Sequence, residues 1–241
     1  MDSRCQANRL WVLALSFPAS NVELAPLVLS LKVATIATVI AAVIGIAIAA
    51  FLANARFFGR DLVDVLVTAP VVLPPTVLGY YLLVAIGRRS AVGHAFETAF
   101  GTSIVFTQTG AVVAATVGAM PLVVKSSRAA IEQVEPALIR AARTLGAAPV
   151  RTFLTVQCQL ASRGITAAVM LAFARALGDF GVTLMVAGDI PGETQTASLA
   201  IYDSIQGHHD NAALGLVIAL AIVAMTILYI SNKLVRIRHV R

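Results

Sequence analysis

The sequence predicts an all-α polytopic membrane protein with five transmembrane helices, its N-terminus outside and its C-terminus inside. Three observations predict it: a composition too apolar for a water-covered surface, a series of uncharged runs of membrane length, and a lopsided distribution of basic residues. Hydrophobic residues make up 59% of the 241-residue chain and charged residues 12%, against about 25% charged in an ordinary soluble domain. A mean hydropathy of +0.87 excludes intrinsic disorder, which requires low hydrophobicity. Cys5 and Cys158 are the two cysteines, too few for a disulfide framework or a cysteine-rich metal centre.

Crossing the hydrocarbon layer takes about 20 apolar residues in a helix. Val33 to Ala53, Val65 to Gly87, Thr98 to Val124 and Asn211 to Asn232 are each free of charge. The third of these is most apolar from about Gly110. Gly164 to Gly188 supplies the remaining span, although it holds Arg175 and Asp179. The runs are too long and too continuous for barrel strands, and open sheets do not survive in lipid.

Orientation follows from the loops. With the N-terminus outside, the inner segments 54–61, 125–163 and 233–241 hold twelve of the 18 basic residues, and the outer segments hold four: Arg4, Arg9, Arg88 and Arg89. Lys32 and Arg175 lie within or at the edge of spans. Basic residues collect on the cytoplasmic side, so this distribution, rather than the net charge of +6, carries the information. The organisation expected is an N-terminal extension over 1–24, a transmembrane domain over 25–238 and a short tail over 239–241. Leu10 to Phe17 is an apolar run of eight, short for a span. It reads as an interfacial extension, as part of a signal sequence, or as a consequence of a misassigned start.

The second span contains Pro70, Pro74 and Pro75. Each removes a backbone donor and disfavours straight helix. A packing kink and a broken helix lining a substrate path both fit. Arg175 and Asp179, four apart, share a helix face and can pair; they read either as a structural bridge or as part of a gate. Lys32 can snorkel to the interface.

The inner loop, about 125–163, is the most informative stretch. Pro136 suits the first turn of a helix. Ala137, Leu138, Ala141, Ala142 and Leu145 then recur at helical spacing, Gly146 stands where a C-terminal cap is expected, and Pro149 can open a second short helix. Small alanines and a glycine turn permit close approach of another protein surface; packing against the protein's own inner face is the other reading. In the outer loop from Asp189 to Asp210, Pro191-Gly192 marks a turn and Ser198 to Gln206 reads as a short helix. The loop carries no basic residue and several acidic ones, which argues against a strong oxyanion site there. His208 and His209 lack a third ligand and read as solvated, so no metal site is assigned. No Gly-x-x-x-x-Gly-Lys-Ser/Thr loop occurs, and no catalytic constellation stands out.

Arg140-Ala141-Ala142-Arg143-Thr144-Leu145-Gly146 resembles the glutamate-alanine-alanine, three residues, glycine signature of ABC importer permeases, with Arg140 in place of the glutamate. Where that family continues with isoleucine, any residue, leucine, proline, this chain has Val156-Gln157-Cys158-Gln159. Leu73 to Tyr81, Ala172 to Gly181 and Ile190 to Thr196 are similar to the molybdate permease branch, and sulfate permeases share much of the pattern. The resemblance covers about residues 25–238.

It implies a type I importer fold in the cytoplasmic (inner) membrane, with residues 140–146 docking an ATPase and Pro74, Pro75, Arg175 and Asp179 as candidates for the pathway or its gate. It further implies a homodimer of permease subunits and two ATPase subunits, which bind ATP and Mg, so that no cofactor belongs to this chain. A periplasmic oxyanion-binding protein would deliver molybdate, and nucleic acid is no partner. Sulfate or tungstate as cargo is the near alternative. A secondary oxyanion transporter or a membrane-embedded enzyme is the more distant one.

Overall fold

The computed structural model describes residues 24–55 and 57–237. The expectations for Leu10 to Phe17 and for the 239–241 tail lie outside these residues. Among the described residues every regular element is helical: α1 Leu24–Asn54, α2 Arg60–Val72, α3 Pro75–Ile86, α4 Ala91–Phe100, α5 Gln108–Glu132, α6 Pro136–Thr144, α7 Pro149–Thr152, a π turn Phe153–Gln157, α8 Cys158–Leu177, α9 Gly181–Ala187, α10 Ala197–Gln206 and α11 Asp210–Ile237. Four segments are long and apolar enough to cross a membrane: α1, α5, the continuous stretch Pro149–Leu177, and α11. The fifth is a bent pair, α2 and α3, which meet at 116°.

Small residues hold the bundle together. Ala34, Ala37 and Ala41 of α1 meet Ala111, Ala115 and Ala119 of α5 and Ala172 and Ala176 of α8 in one buried cluster. The four-residue repeat on α5 puts a shallow groove along one face, and backbones approach closely there. This is how helices associate in lipid, where no hydrophobic force draws them together. Gly45 continues the seam: a Cβ on it would stand 2.9 Å from Val123 Cγ1. Outside the seam α1 is apolar but exposed, as Val28, Val39, Val43 and Phe51 show. A helix apolar all round is one that meets lipid or further protein on its remaining faces.

Named contacts define the two ends. At one, Ser30 Oγ accepts from the Ala197 amide at 2.7 Å and Lys32 Nζ donates to Gln108 Oε1 at 3.1 Å. Lys32 therefore ties α1 to the first turn of α5, beyond the snorkelling expected of it. At the other end the last turn of α1, the start of α2, the last turn of α5 and the start of α8 converge.

Three boundaries differ from expectation. The expected third span, Thr98 to Val124, is two elements: an amphipathic helix α4, capped by the Ser90 side chain and by Gly101 at φ 69°, and then α5 running to Glu132. The expected inner loop, about 125–163, is almost wholly helical, because α5 continues through 125–132 and the next long helix already begins at Pro149. The fourth span, expected over Gly164 to Gly188, lies earlier, over Pro149–Leu177, and the chain then breaks before α9. Hydropathy marks where side chains meet lipid; a helix can continue past that limit on ion pairs and on packing.

Candidate functional site

Two features stand out, one at the α6 end of the bundle and one deeper inside it. α6 begins with Pro136 at its first position, where a missing N–H costs nothing. It ends in a complete glycine cap. The Gly146 amide donates to Arg143 O at 3.0 Å and the Ala147 amide to Ala142 O at 3.2 Å, with Gly146 at φ 83°. That double bond pattern satisfies the last carbonyls and reverses the chain into α7.

No residue of α6 is buried. Ile139 is half-buried against the cluster that contains Leu52, Ile131 and Ala161. The apolar stripe is left open: Leu138 is 45% and Leu145 88% exposed, with Ala137 and Ala141 beside them. Of the stripe, Ala142 alone is half-buried against the chain itself. Arg140, Arg143 and Thr144 are exposed next to it. The result is an amphipathic helix that leaves a small-sided stripe exposed beside two cations.

The deeper feature joins two helix breaks. Between α2 and α3, Leu73 and Pro74 are extended, at ψ 137° and 139°, and Pro75 opens α3. The proline run therefore produces a broken helix rather than a kink. Between α8 and α9 the chain breaks at Gly178, Asp179 and Phe180. The breaks face each other: a Cβ on Gly181 would stand 2.7 Å from Pro75 Cβ, and one on Gly79 2.6 Å from Met185 Cβ. The first amides of α3 and α9 lack partners in their own helices. Irregular backbone at membrane depth persists where protein or a water-lined path meets it.

Arg175 and Asp179 lie at the second break. Arg175 Nη1 donates to Asp179 Oδ1 at 2.8 Å; the Thr183 amide and hydroxyl donate to Asp179 Oδ2 at 3.0 and 2.7 Å. Asp179 is 3% exposed. It bonds the first turn of α9, where negative charge is favoured, and Arg175 ends α8, where positive charge is. The guanidinium passes over Gly118 of α5, whose missing side chain leaves space: a Cβ there would stand 3.6 Å from Arg175 Nη2. The expected pair thus forms, but across a helix break instead of along one helix face. The structure brings Pro75, Arg175 and Asp179 to neighbouring positions around α9. Pro74 lies on the exposed side of the same corner.

Two features have no counterpart in the sequence reading. Asp64 and Arg60 of α2 meet Arg128 and Glu132 of α5 in a four-membered ion network: Arg60–Glu132 at 2.7 Å, Arg128–Glu132 at 2.8 Å and Arg128–Asp64 at 2.9 Å. It fixes the α2 arm to the last turns of α5. Opposite charges four apart at the ends of two apolar runs were the available signal. The second is a hydrogen bond from Gln157 Nε2 to Asn54 Oδ1 at 3.0 Å, which no local pattern announces. The stretch between α9 and α10 is also more than a connection: Thr194, Gln195 and Thr196 are buried and the amides of Glu193, Thr194 and Gln195 all donate to Ile190 O. The expected helix there forms as α10.

Comparison with known proteins bears on the whole arrangement. The chain is 43% identical over 215 residues to the molybdenum transport system permease protein ModB of Escherichia coli (strain K12), covering 88% of this chain and 93% of that one. It is 37% identical over 219 residues to the protein of the same description from Mycobacterium tuberculosis, covering 90% and 80%. Its fold superposes with a TM-score of 0.76, at 14% identity and over 99% and 91% of the two chains, on a bacterial ABC transporter involved in the import of the acidic polysaccharide alginate. Residues 28–238 match the family described as binding-protein-dependent transport system inner membrane component. That match takes in every helix but for the first four residues of α1, both breaks included, and the chain belongs to this family.

Proposed function

We propose that this protein is the membrane-spanning permease subunit of an ATP-driven importer that moves molybdate across the cytoplasmic membrane by alternating access. The observation that carries the reading is the 43% identity to a molybdenum permease over nearly the full length of both chains. Two copies enclose the path, giving ten spans. Each chain is oriented N-out and C-in, as the twelve-to-four distribution of basic residues favours. One ATPase docks under each α6, with residues 140–146 in its groove; it holds ATP and Mg and performs the hydrolysis. This chain is the translocation subunit and catalyses no bond cleavage itself. A periplasmic oxyanion-binding protein delivers the cargo at the opposite end.

In this mechanism closure of the ATPase pair displaces both α6 helices, and the bundle passes the displacement to the paired breaks. Pro74, Pro75, Arg175 and Asp179 line or hold the gate. Asp179 is consumed by its bonds to Arg175 and Thr183, so it does not relay protons. The partly exposed Arg175 supplies a weak, transient positive field, which suits passage of a dianion better than tight binding.

The test is uptake of labelled molybdate in cells lacking this gene, with and without the gene restored, against excess sulfate or tungstate. Restored uptake that resists sulfate supports the assignment. Abolition by modest sulfate moves the cargo to sulfate, and equal competition by tungstate makes the permease common to both metals. Uptake that persists without the ATPase, under an ion gradient alone, would replace the importer with a secondary transporter.

A further inference from the structure

The docking element and the first span are joined by a buried amide. Gln157 ends the π turn between α7 and α8, is 4% exposed, and donates from Nε2 to Asn54 Oδ1 at 3.0 Å. Asn54 is the last residue of α1 and donates in turn to Ala50 O at 2.9 Å. The bond therefore ends on backbone beside the cluster in which Ala49 and Leu52 of α1 meet Val124 of α5 and Ala161 of α8. Beside it a cavity of about 270 Å³, lined among others by Phe51, Arg143, Val150 and Phe153, separates α6 and α7 from α1. There is free volume beside the bond, on the side of α6 and α7.

The π turn adds a second observation. The Cys158 amide donates to Phe153 O, five residues back. Such turns are rare and tend to occur at functional sites. Returning this turn to α-helical register would rotate everything before it by about 100° about the helix axis. A load on α6 can thus be absorbed locally, by slippage at the turn, or delivered to the bundle. The buried Gln157 side chain projects from the turn itself and is bonded to a different helix, so slippage requires breaking that bond.

We propose that Gln157 is a positioning residue which, through Asn54, holds the π turn in register and delivers the displacement of α6 to the first span. The inference rests on the reading that α6 receives an ATPase.

The test uses the reconstituted complex of two permease copies, ATPase and binding protein in proteoliposomes, with labelled molybdate uptake and phosphate release measured together. Gln157→Leu fills the site without the bond. Complex yield and basal ATP hydrolysis are expected to stay at the wild-type level while uptake per ATP falls about fivefold, the size that loss of one hydrogen bond allows. Asn54→Leu should give the same fall, and the double variant no further one. Asn54→Asp keeps the acceptor for Gln157 but loses the donor to Ala50 O, so its ratio should fall between the wild type and Asn54→Leu. An unchanged ratio in Gln157→Leu overturns the proposal, and so does a fall matched by equal loss of complex, which would make the bond merely structural. A wild-type complex that hydrolyses ATP yet imports no molybdate sinks the cargo assignment alone. Stimulation of hydrolysis by the binding protein then reads the same link, and Gln157→Leu should flatten it.

Discussion

Pro75 and Gly181 touch so closely that the glycine has no room for a side chain: its Cβ would stand 2.7 Å from that of the proline. One residue opens α3 and the other opens α9, so this contact sets how the two broken helices face each other. Gly181→Val must push the breaks apart, at about 1–3 kcal/mol by the usual scale of overpacking. The variant is expected to insert and to bind its ATPase, with uptake reduced at least several-fold. Wild-type uptake at normal expression would show that the spacing of the breaks does not govern passage.

Arg175 and Asp179 differ in burial, and their substitutions should differ accordingly. Arg175→Gln leaves a buried carboxylate with Thr183 alone. Breaking a buried pair costs roughly 3–5 kcal/mol, and the partial exposure of Arg175 brings the expectation down to about 2. Asp179→Asn keeps an acceptor for Thr183 and frees a cation with access to water, so it should cost less. The double variant should recover part of the loss seen with Arg175→Gln. Thermal unfolding of the purified permease checks the order, and equal losses from both single variants would contradict it.

Gly146 separates backbone conformation from docking. Its φ is 83°, and beyond its chain neighbours nothing lies within 4 Å of the place a Cβ would take, so added bulk points into open space. Asn tolerates this backbone region and Val does not. Gly146→Asn should therefore keep the turn, and Gly146→Val should lose it at about 1–2 kcal/mol. Gly146→Asp tolerates the turn but adds bulk and charge to the docking surface. Copurification of the ATPase is expected to weaken with Asp and Val while membrane insertion persists. Full copurification with both would place the docking surface elsewhere.

Asp189 offers a pH test outside the spans. Burial, with the like charge of Asp203 added, pushes its carboxyl above the ordinary value of 3.8, although a hydrogen bond with Gln195 pulls the other way. A carboxyl raised on folding contributes stability that is fully present below about 3.8 and is lost as pH rises through the raised value. At neutral pH the folded protein carries this loss. Asp189→Asn should raise Tm at pH 7 and leave it nearly unchanged at pH 3.5. A lower Tm at pH 7 would mean that the charged carboxylate holds the buried 194–196 segment in place.

Much of this was legible in the sequence because the underlying rules are local. Pro136 and Gly146 mark the ends of α6 through a missing donor and a left-handed turn, and the proline run at 70–75 marks the break. The pairing of Arg175 with Asp179 follows from their spacing. What hydropathy could not give was the end of each helix. Residues 125–132 include Lys125, Arg128 and Glu132, yet they continue α5 because Arg128 and Glu132 find Asp64 and Arg60 on a different element and Ile131 is buried. The fourth span starts earlier than hydropathy places it because Arg151 and Arg163 make its first turns look like loop, whereas the helix needs no lipid there. The bond between Gln157 and Asn54 joins residues 103 positions apart, and nothing in the neighbourhood of either predicts the other.

The alanine seam divides the molecule into a part that keeps its shape and a part that changes it. Alanine has no rotamers to exchange, so helices that meet through Ala37, Ala115 and Ala172 cannot slide by repacking side chains; they would have to collide backbone to backbone. Spectroscopic labels placed at the ends of α1 and α5 should therefore report a constant separation through the transport cycle. Labels on α3, which contributes no residue to that seam, should report a separation from α1 that changes.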